Sequence, residues 1–105
     1  MSDATATLGP AETAAELDGT GFVHLDGVLY ASYKTADFES AAVLVSQVAE
    51  LADAQNHHPD IRLGYGSVAF ELSSHDAGGV TDRDIRLARG IHELADALGA
   101  AAQEV

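Results

Sequence analysis

The sequence predicts an α+β fold in two layers, a four-stranded antiparallel sheet with helices packed on one face, in the order α-β-β-α-β-β-α. Three observations predict it. Two stretches of period-two alternation, Phe22 to Tyr33 and Ile61 to Leu72, are each interrupted by a glycine-containing turn. A long stripe of apolar residues at three-and-four spacing separates them, and a second such stripe follows the second hairpin. Laying every helix on the same side of one sheet covers all these apolar faces with short connections.

Taken in order, residues 1–8 are small and polar and are expected to form a tail. Gly9-Pro10 opens a short helix that runs to Leu17, because proline suits the first helical position. Asp18-Gly19-Thr20-Gly21 ends it. Phe22–Leu25 and Val28–Tyr33 read as strands joined by Asp26-Gly27, a two-residue hairpin signal. Asp37 is the expected N-cap of the next helix, which reaches Asn56. Its apolar set, Phe38, Ala41, Ala42, Leu44, Val45, Val48, Ala49, Leu51 and Ala52, is wide enough to cover a sheet and leave a second edge for a subunit contact.

Pro59 forces His58 out of the helical region, so this helix ends at Asn56-His57-His58-Pro59. Ile61, Leu63 and Tyr65 form the next strand, Gly66 the turn, and Val68, Phe70 and Leu72 the inward face of its partner. Ala77-Gly78-Gly79 is a loop. Thr81 and Asp84 make a variant capping box for the last helix, whose buried stripe is Ile85, Ala88, Ile91, Leu94, Ala95 and Leu98. Gly99 stops it, and residues 100–105 are expected as a tail, leaving a single domain over residues 9–99.

The composition excludes several functions. Net charge is −12, from 5 basic and 17 acidic residues, and such a surface repels a phosphate backbone. With no cysteine there is neither a disulfide nor a thiolate metal site. No run is long enough for a membrane span, and no basic and apolar leader opens the chain, so a cytoplasmic protein is expected.

The chemistry concentrates on histidine. A hairpin turning about Gly66 sets position 57 opposite about position 75, which brings His75 back beside the His57-His58 corner. Imidazoles that meet at an exposed corner suit general acid–base work on a small molecule, because histidine exchanges protons near neutral pH. Two other readings stand beside this one. The three could be polar corner residues. They could also hold a metal with Asp53 or Asp76, although adjacent histidines lack the i, i+4 spacing of a helical zinc site. His24 and His92 read as structural or surface residues, and Arg83, Arg86 and Arg89 as a solvated or ion-paired helix face.

Asp53, His57-His58-Pro59, Tyr65, His75 and Asp84 stand at spacings that resemble the signature of the pterin-4a-carbinolamine dehydratases. The segments Ser73-Ser74-His75-Asp76-Ala77-Gly78-Gly79 and Thr81-Asp82-Arg83-Asp84 extend the resemblance, which runs from about Leu17 to Ala95. It implies the same helix–hairpin order, assembly as a homodimer or homotetramer, and dehydration of 4a-hydroxytetrahydropterin to quinonoid dihydropterin. That reaction recycles the pterin of aromatic amino acid hydroxylases, with no metal or organic cofactor. It makes His57, His58 and His75 catalytic and sets Asp53, Pro59, Phe22, Ser73, Ser74 and Asp84 around the substrate. It also carries an alternative, since the family includes a dimerisation cofactor of a transcription factor and Rubisco assembly factors. Two stretches depart from the pattern: Gly21-Phe22 stands where many members have tryptophan, and residues 29–36 lack the usual aromatic-basic run.

Overall fold

A computed structural model describes residues 6–104. Three helices, α1 (Pro10–Leu17), α2 (Phe38–Gln55) and α3 (Asp82–Ala97), pack on one face of an antiparallel sheet. Its strands are β1 (Val23–Leu25), β2 (Val28–Lys34), β3 (Asp60–Gly64), β4 (Ser67–Leu72) and β5 (Ala101–Gln103). The spatial order is β1-β2-β4-β3, with β5 also paired to β2.

Alternation decides which side chains enter the core. Leu29, Ala31 and Tyr33 of β2 and Val68, Phe70 and Leu72 of β4 point inward and are buried. Leu44, Val48 and Ala52 of α2 and Leu87, Ala88, Ile91 and Ala95 of α3 close over them. Each leucine or isoleucine buried here contributes roughly 1.5–3 kcal/mol. The first hairpin turns as its sequence predicts, with both Asp26 (φ 50) and Gly27 (φ 76) at positive φ.

Four expectations need correction. The second turn is Tyr65-Gly66 and not a turn centred on Gly66: Gly64 pairs with Ser67, and Tyr65 leaves the strand to stand 81% exposed. The register therefore moves by one, and extending it sets Ser74, not His75, opposite His57. The expected C-terminal tail contains β5. Gly99 (φ 74) reverses the chain after α3 and sends Ala101–Gln103 along the part of β2 that the short β1 leaves open. At the other end residues 1–5 lie outside the described residues, but the expected tail is anchored at Leu8, whose N–H donates to Val80 O at 2.8 Å. Finally, Phe22 is a core side chain, packed among Tyr33 and Phe70 at centroid distances of 6.3 and 6.5 Å, and does not reach a substrate rim.

Candidate functional site

The site begins with how α2 stops. Asn56 takes the left-handed conformation (φ 51), its N–H bonds Asp53 O at 3.2 Å, and the His57 N–H bonds Ala52 O at 3.1 Å. This is a Schellman closure, and it fixes the direction in which His57 leaves the helix. Pro59 then holds the next residues extended before β3 begins at Asp60.

His57 is turned inward. Its side chain is 11% exposed, and Nε2 lies 2.5 Å from Oδ1 of Asp84, which has no exposed surface. The carboxylate can only accept, so Nε2–H donates, and in the neutral ring Nδ1 is then the acceptor. Asp84 Oδ2 accepts from the Thr81 N–H at 2.9 Å and from Ser74 Oγ at 2.7 Å. Ser74 Oγ and Thr81 Oγ1 are 2.8 Å apart. A buried carboxylate with this many donors satisfies the requirement that an interior charge be hydrogen-bonded.

Ser74 also closes the loop that carries His75. Its N–H donates to Gly79 O at 2.8 Å, and its carbonyl accepts from Ala77 N–H at 3.0 Å and Gly78 N–H at 2.9 Å. His75 itself is exposed on this loop. Asp84 thus ties the His57 corner to the His75 loop through Ser74. His58 lies on the other side of its neighbour, as adjacent extended residues must. Its Nε2 is 2.9 Å from Asp53 Oδ1, an open pair with side chains 60% and 79% exposed.

The remaining sequence-predicted site residues divide. Ser73 is half-buried and donates from Oγ to Gly27 O at 3.1 Å, pinning the first hairpin turn to the end of β4. Pro59 is half-buried beside the histidines. Asp84 and Ser74 cannot meet a substrate as expected: Asp84 is sealed beneath His57, and both backbone groups of Ser74 are engaged within the loop. Asp84 bonds His57 directly and the loop of His75 through Ser74. The network that sequence reasoning missed is this one. Its only local signal was the Thr81–Asp84 capping box, which is present with both of its hydrogen bonds.

Elsewhere the ion-paired reading of α3 is seen in Arg83–Asp76 at 2.8 Å and Arg89–Glu16 at 3.0 Å. The Arg83 guanidinium holds the Asp76 carboxyl below its usual range. His24 Nδ1 meets Thr13 Oγ1 and His92 Nδ1 meets Tyr33 OH, each at 2.9 Å, so both rings are tied into the fold away from the His57 corner. Among the described residues no group of three histidine or acidic side chains is placed to hold a metal ion. Five surface concavities of about 310–550 Å³ are lined by residues other than His57, His58 and His75.

Residues 6–94 match the family model described as pterin 4 alpha carbinolamine dehydratase. The chain belongs to this family. A relative from Thermomicrobium roseum is 44% identical over 75 residues, 71% of this chain and 81% of its own. One from Mycobacterium sp. strain JLS is 42% identical over 76 residues, 72% of this chain and 81% of its own. Both are named, provisionally, as pterin-4-alpha-carbinolamine dehydratases. A crystal structure described as a transcriptional coactivator/pterin dehydratase from Brucella melitensis superposes with a TM-score of 0.78 at 30% identity, covering 85% of this chain and 98% of that one. A pterin dehydratase-like protein identified as a RuBisCO assembly factor of the alpha-carboxysome shares the fold, with a TM-score of 0.60 at 16% identity over 76% of this chain and 93% of its own. No helix among the described residues is long and apolar enough to cross a membrane.

Proposed function

We propose that this chain is a 4a-hydroxytetrahydropterin dehydratase that uses His57, His58 and His75 as general acid and base. The observation that carries the reading is the buried Asp84, which fixes the His57 ring and, through Ser74, the loop of His75. A structural corner histidine has no need of a fully buried carboxylate behind it, whereas an acid–base group needs a defined tautomer and orientation.

The reaction breaks the C4a–O bond and forms a C4a=N5 double bond. A proton goes to the departing hydroxyl, which leaves as water, and the N5 proton goes to a base. His58, paired with Asp53 in the open, is assigned as the acid. His57, with Nε2–H committed to Asp84, offers Nδ1 as the base, and His75 orients the heterocycle and shares the base role. The scheme draws on no metal or organic cofactor. An aromatic amino acid hydroxylase is the natural consumer of the recycled pterin, in the cytoplasm. A homo-oligomer accords with the exposed Phe38 and Val43 of α2.

The second reading, a binding or assembly factor without catalysis, is favoured by the exposure of His58 and His75 and by the coactivator named in the Brucella melitensis description. Dehydration of chemically generated 4a-hydroxytetrahydropterin, followed by ultraviolet absorbance, separates the two. Wild type should exceed the spontaneous rate, and His58→Ala should lose about 10²-fold. Equal rates with and without protein would leave the binding reading standing.

A further inference from the structure

The loop that carries His75 is secured at its far end by the N-terminal segment. Ser74 is fixed by Asp84 and Asp76 by its ion pair with Arg83, but the far end of the loop, Ala77-Gly78-Gly79, has no side chain beyond a methyl to anchor it. Gly78 has positive φ (78), and a Cβ there would meet nothing within 4 Å. Gly79 is different. A Cβ at Gly79 would point at Thr7 and meet its Cγ2 at 3.3 Å. One residue along, the Leu8 N–H donates to Val80 O at 2.8 Å, and the Leu8 side chain packs against the core. The first hairpin supports the other flank: a Cβ at Gly27 would lie 3.8 Å from Gly79 Cα, and Gly27 O accepts from Ser73 Oγ.

We infer that Thr7 and Leu8 form a strap that positions the His75 loop, so that residues far from His75 in sequence contribute to turnover without touching the substrate. The kinetic part rests on the dehydratase reading; the positional part does not. The strap has a defined geometry. Leu8 fixes the height of Val80 by a backbone hydrogen bond, and Thr7 covers the bare face of Gly79. The Ser74 turn bonds and the Arg83–Asp76 pair hold one end of the loop, and at the glycine-rich end contacts from a neighbouring segment restrict a backbone with few side chains of its own. Displacing a catalytic group by a fraction of an ångström lowers rate more than affinity.

The test is a compensating pair in the full chain. Gly79→Ala places a methyl against Thr7 Cγ2, and Thr7→Ser removes that carbon. Gly79 does not carry a positive φ, so alanine is tolerated by the backbone itself. Two readouts are taken on wild type, Gly79→Ala and the Thr7→Ser/Gly79→Ala double variant: kcat and KM in the dehydration assay, and the position of the His75 imidazole signals in nuclear magnetic resonance spectra. Gly79→Ala should shift the His75 signals and lower kcat by about three- to tenfold with KM nearly unchanged. The double variant should restore both. Unmoved His75 signals in Gly79→Ala, or a change that Thr7→Ser does not reverse, would overturn the strap. Moved signals with wild-type kcat would overturn its role in turnover. If wild type itself does not accelerate dehydration, the proposed activity fails, and the spectra still decide the positional part.

Discussion

Asp84 Oδ1 lies 2.5 Å from His57 Nε2 while Asp84 Oδ2 caps the first turn of α3 through the Thr81 N–H at 2.9 Å. One buried carboxylate therefore closes a helix and holds a site residue 27 positions away in sequence. Fold and site share the same hydrogen bonds, so they should weaken together when Asp84 changes.

Substitution can separate the two roles. Asp84→Asn keeps the shape but replaces one acceptor oxygen by a donor, so that either His57 must switch to the other tautomer or the Thr81 N–H loses its acceptor. A loss of about 1–3 kcal/mol in stability follows, with kcat lower by at least about tenfold. Thr81→Ala is the comparison. It removes an N-cap worth about 1 kcal/mol but leaves the Asp84–His57 contact, so kcat should stay near wild type. Urea unfolding beside the dehydration assay checks both. Equal kcat losses in the two variants would mean that Asp84 matters only for folding.

What the sequence revealed and what it hid divide by range. The capping box of Thr81 and Asp84 was legible because a cap involves residues three apart. The contact of Asp84 with His57 was not, because it depends on how α2 and α3 pack, and no periodicity encodes that. The hairpin was legible but its register was not: Tyr65 continues the alternation of Ile61 and Leu63, and only the turn geometry removes it from the strand. β5 had no signal, since Ala101-Ala102-Gln103 has little preference for a strand and pairs because β2 offers it an open edge. Phe22 looked like a rim aromatic and proved to be core, because the aromatic cluster with Tyr33 and Phe70 forms only in three dimensions.

The second carboxylate–histidine pair should behave differently. Asp53 and His58 are both open to water, and exposed ion pairs contribute little to stability. Asp53→Asn should leave the urea midpoint unchanged and lower kcat by less than about tenfold. The remaining effect of Asp53 should fade as salt is raised from low to about 1 M, where screening acts within about 3 Å. A loss of kcat as large as that of Asp84→Asn would instead make Asp53 an indispensable partner of His58.

Tyr33 gives a prediction at alkaline pH. Burial, partly opposed by the hydrogen bond from the Gly21 N–H, raises its pKa above the ordinary 10.0. The folded state favours the neutral phenol, so the stability this contributes is fully present below 10.0 and is lost as pH rises through the higher folded value. Tyr33 OH also accepts from Gly21 N–H at 3.2 Å and shares a hydrogen bond with His92 Nδ1 at 2.9 Å. Tyr33→Phe should therefore cost about 1–2 kcal/mol near neutral pH. It should also flatten the decline of stability between about pH 10 and 12, because the titrating group is gone. Urea midpoints for both proteins across that range check this, and parallel declines would assign the alkaline loss to other groups.

Gly21 should prove the least replaceable glycine at the edge of the sheet. A Cβ there would lie 2.9 Å from Ala102 Cβ and 3.0 Å from both Cζ and the hydroxyl oxygen of Tyr33. The crowded atoms have little room to retreat. The Tyr33 ring is held by Phe22, Phe70 and His92, and Ala102 belongs to the backbone-paired β5. Gly21→Ala should thus cost about 1–3 kcal/mol through overpacking, despite the lower conformational entropy of an unfolded chain with alanine. Gly64→Ala is the control, because its Cβ would meet Ser67 Oγ at an ordinary 3.4 Å and its backbone does not require positive φ. Thermal unfolding of the two variants decides the matter. If Gly21→Ala loses no more than Gly64→Ala, then β5 and Tyr33 move aside freely, and the close approach at Gly21 does not constrain this edge of the sheet.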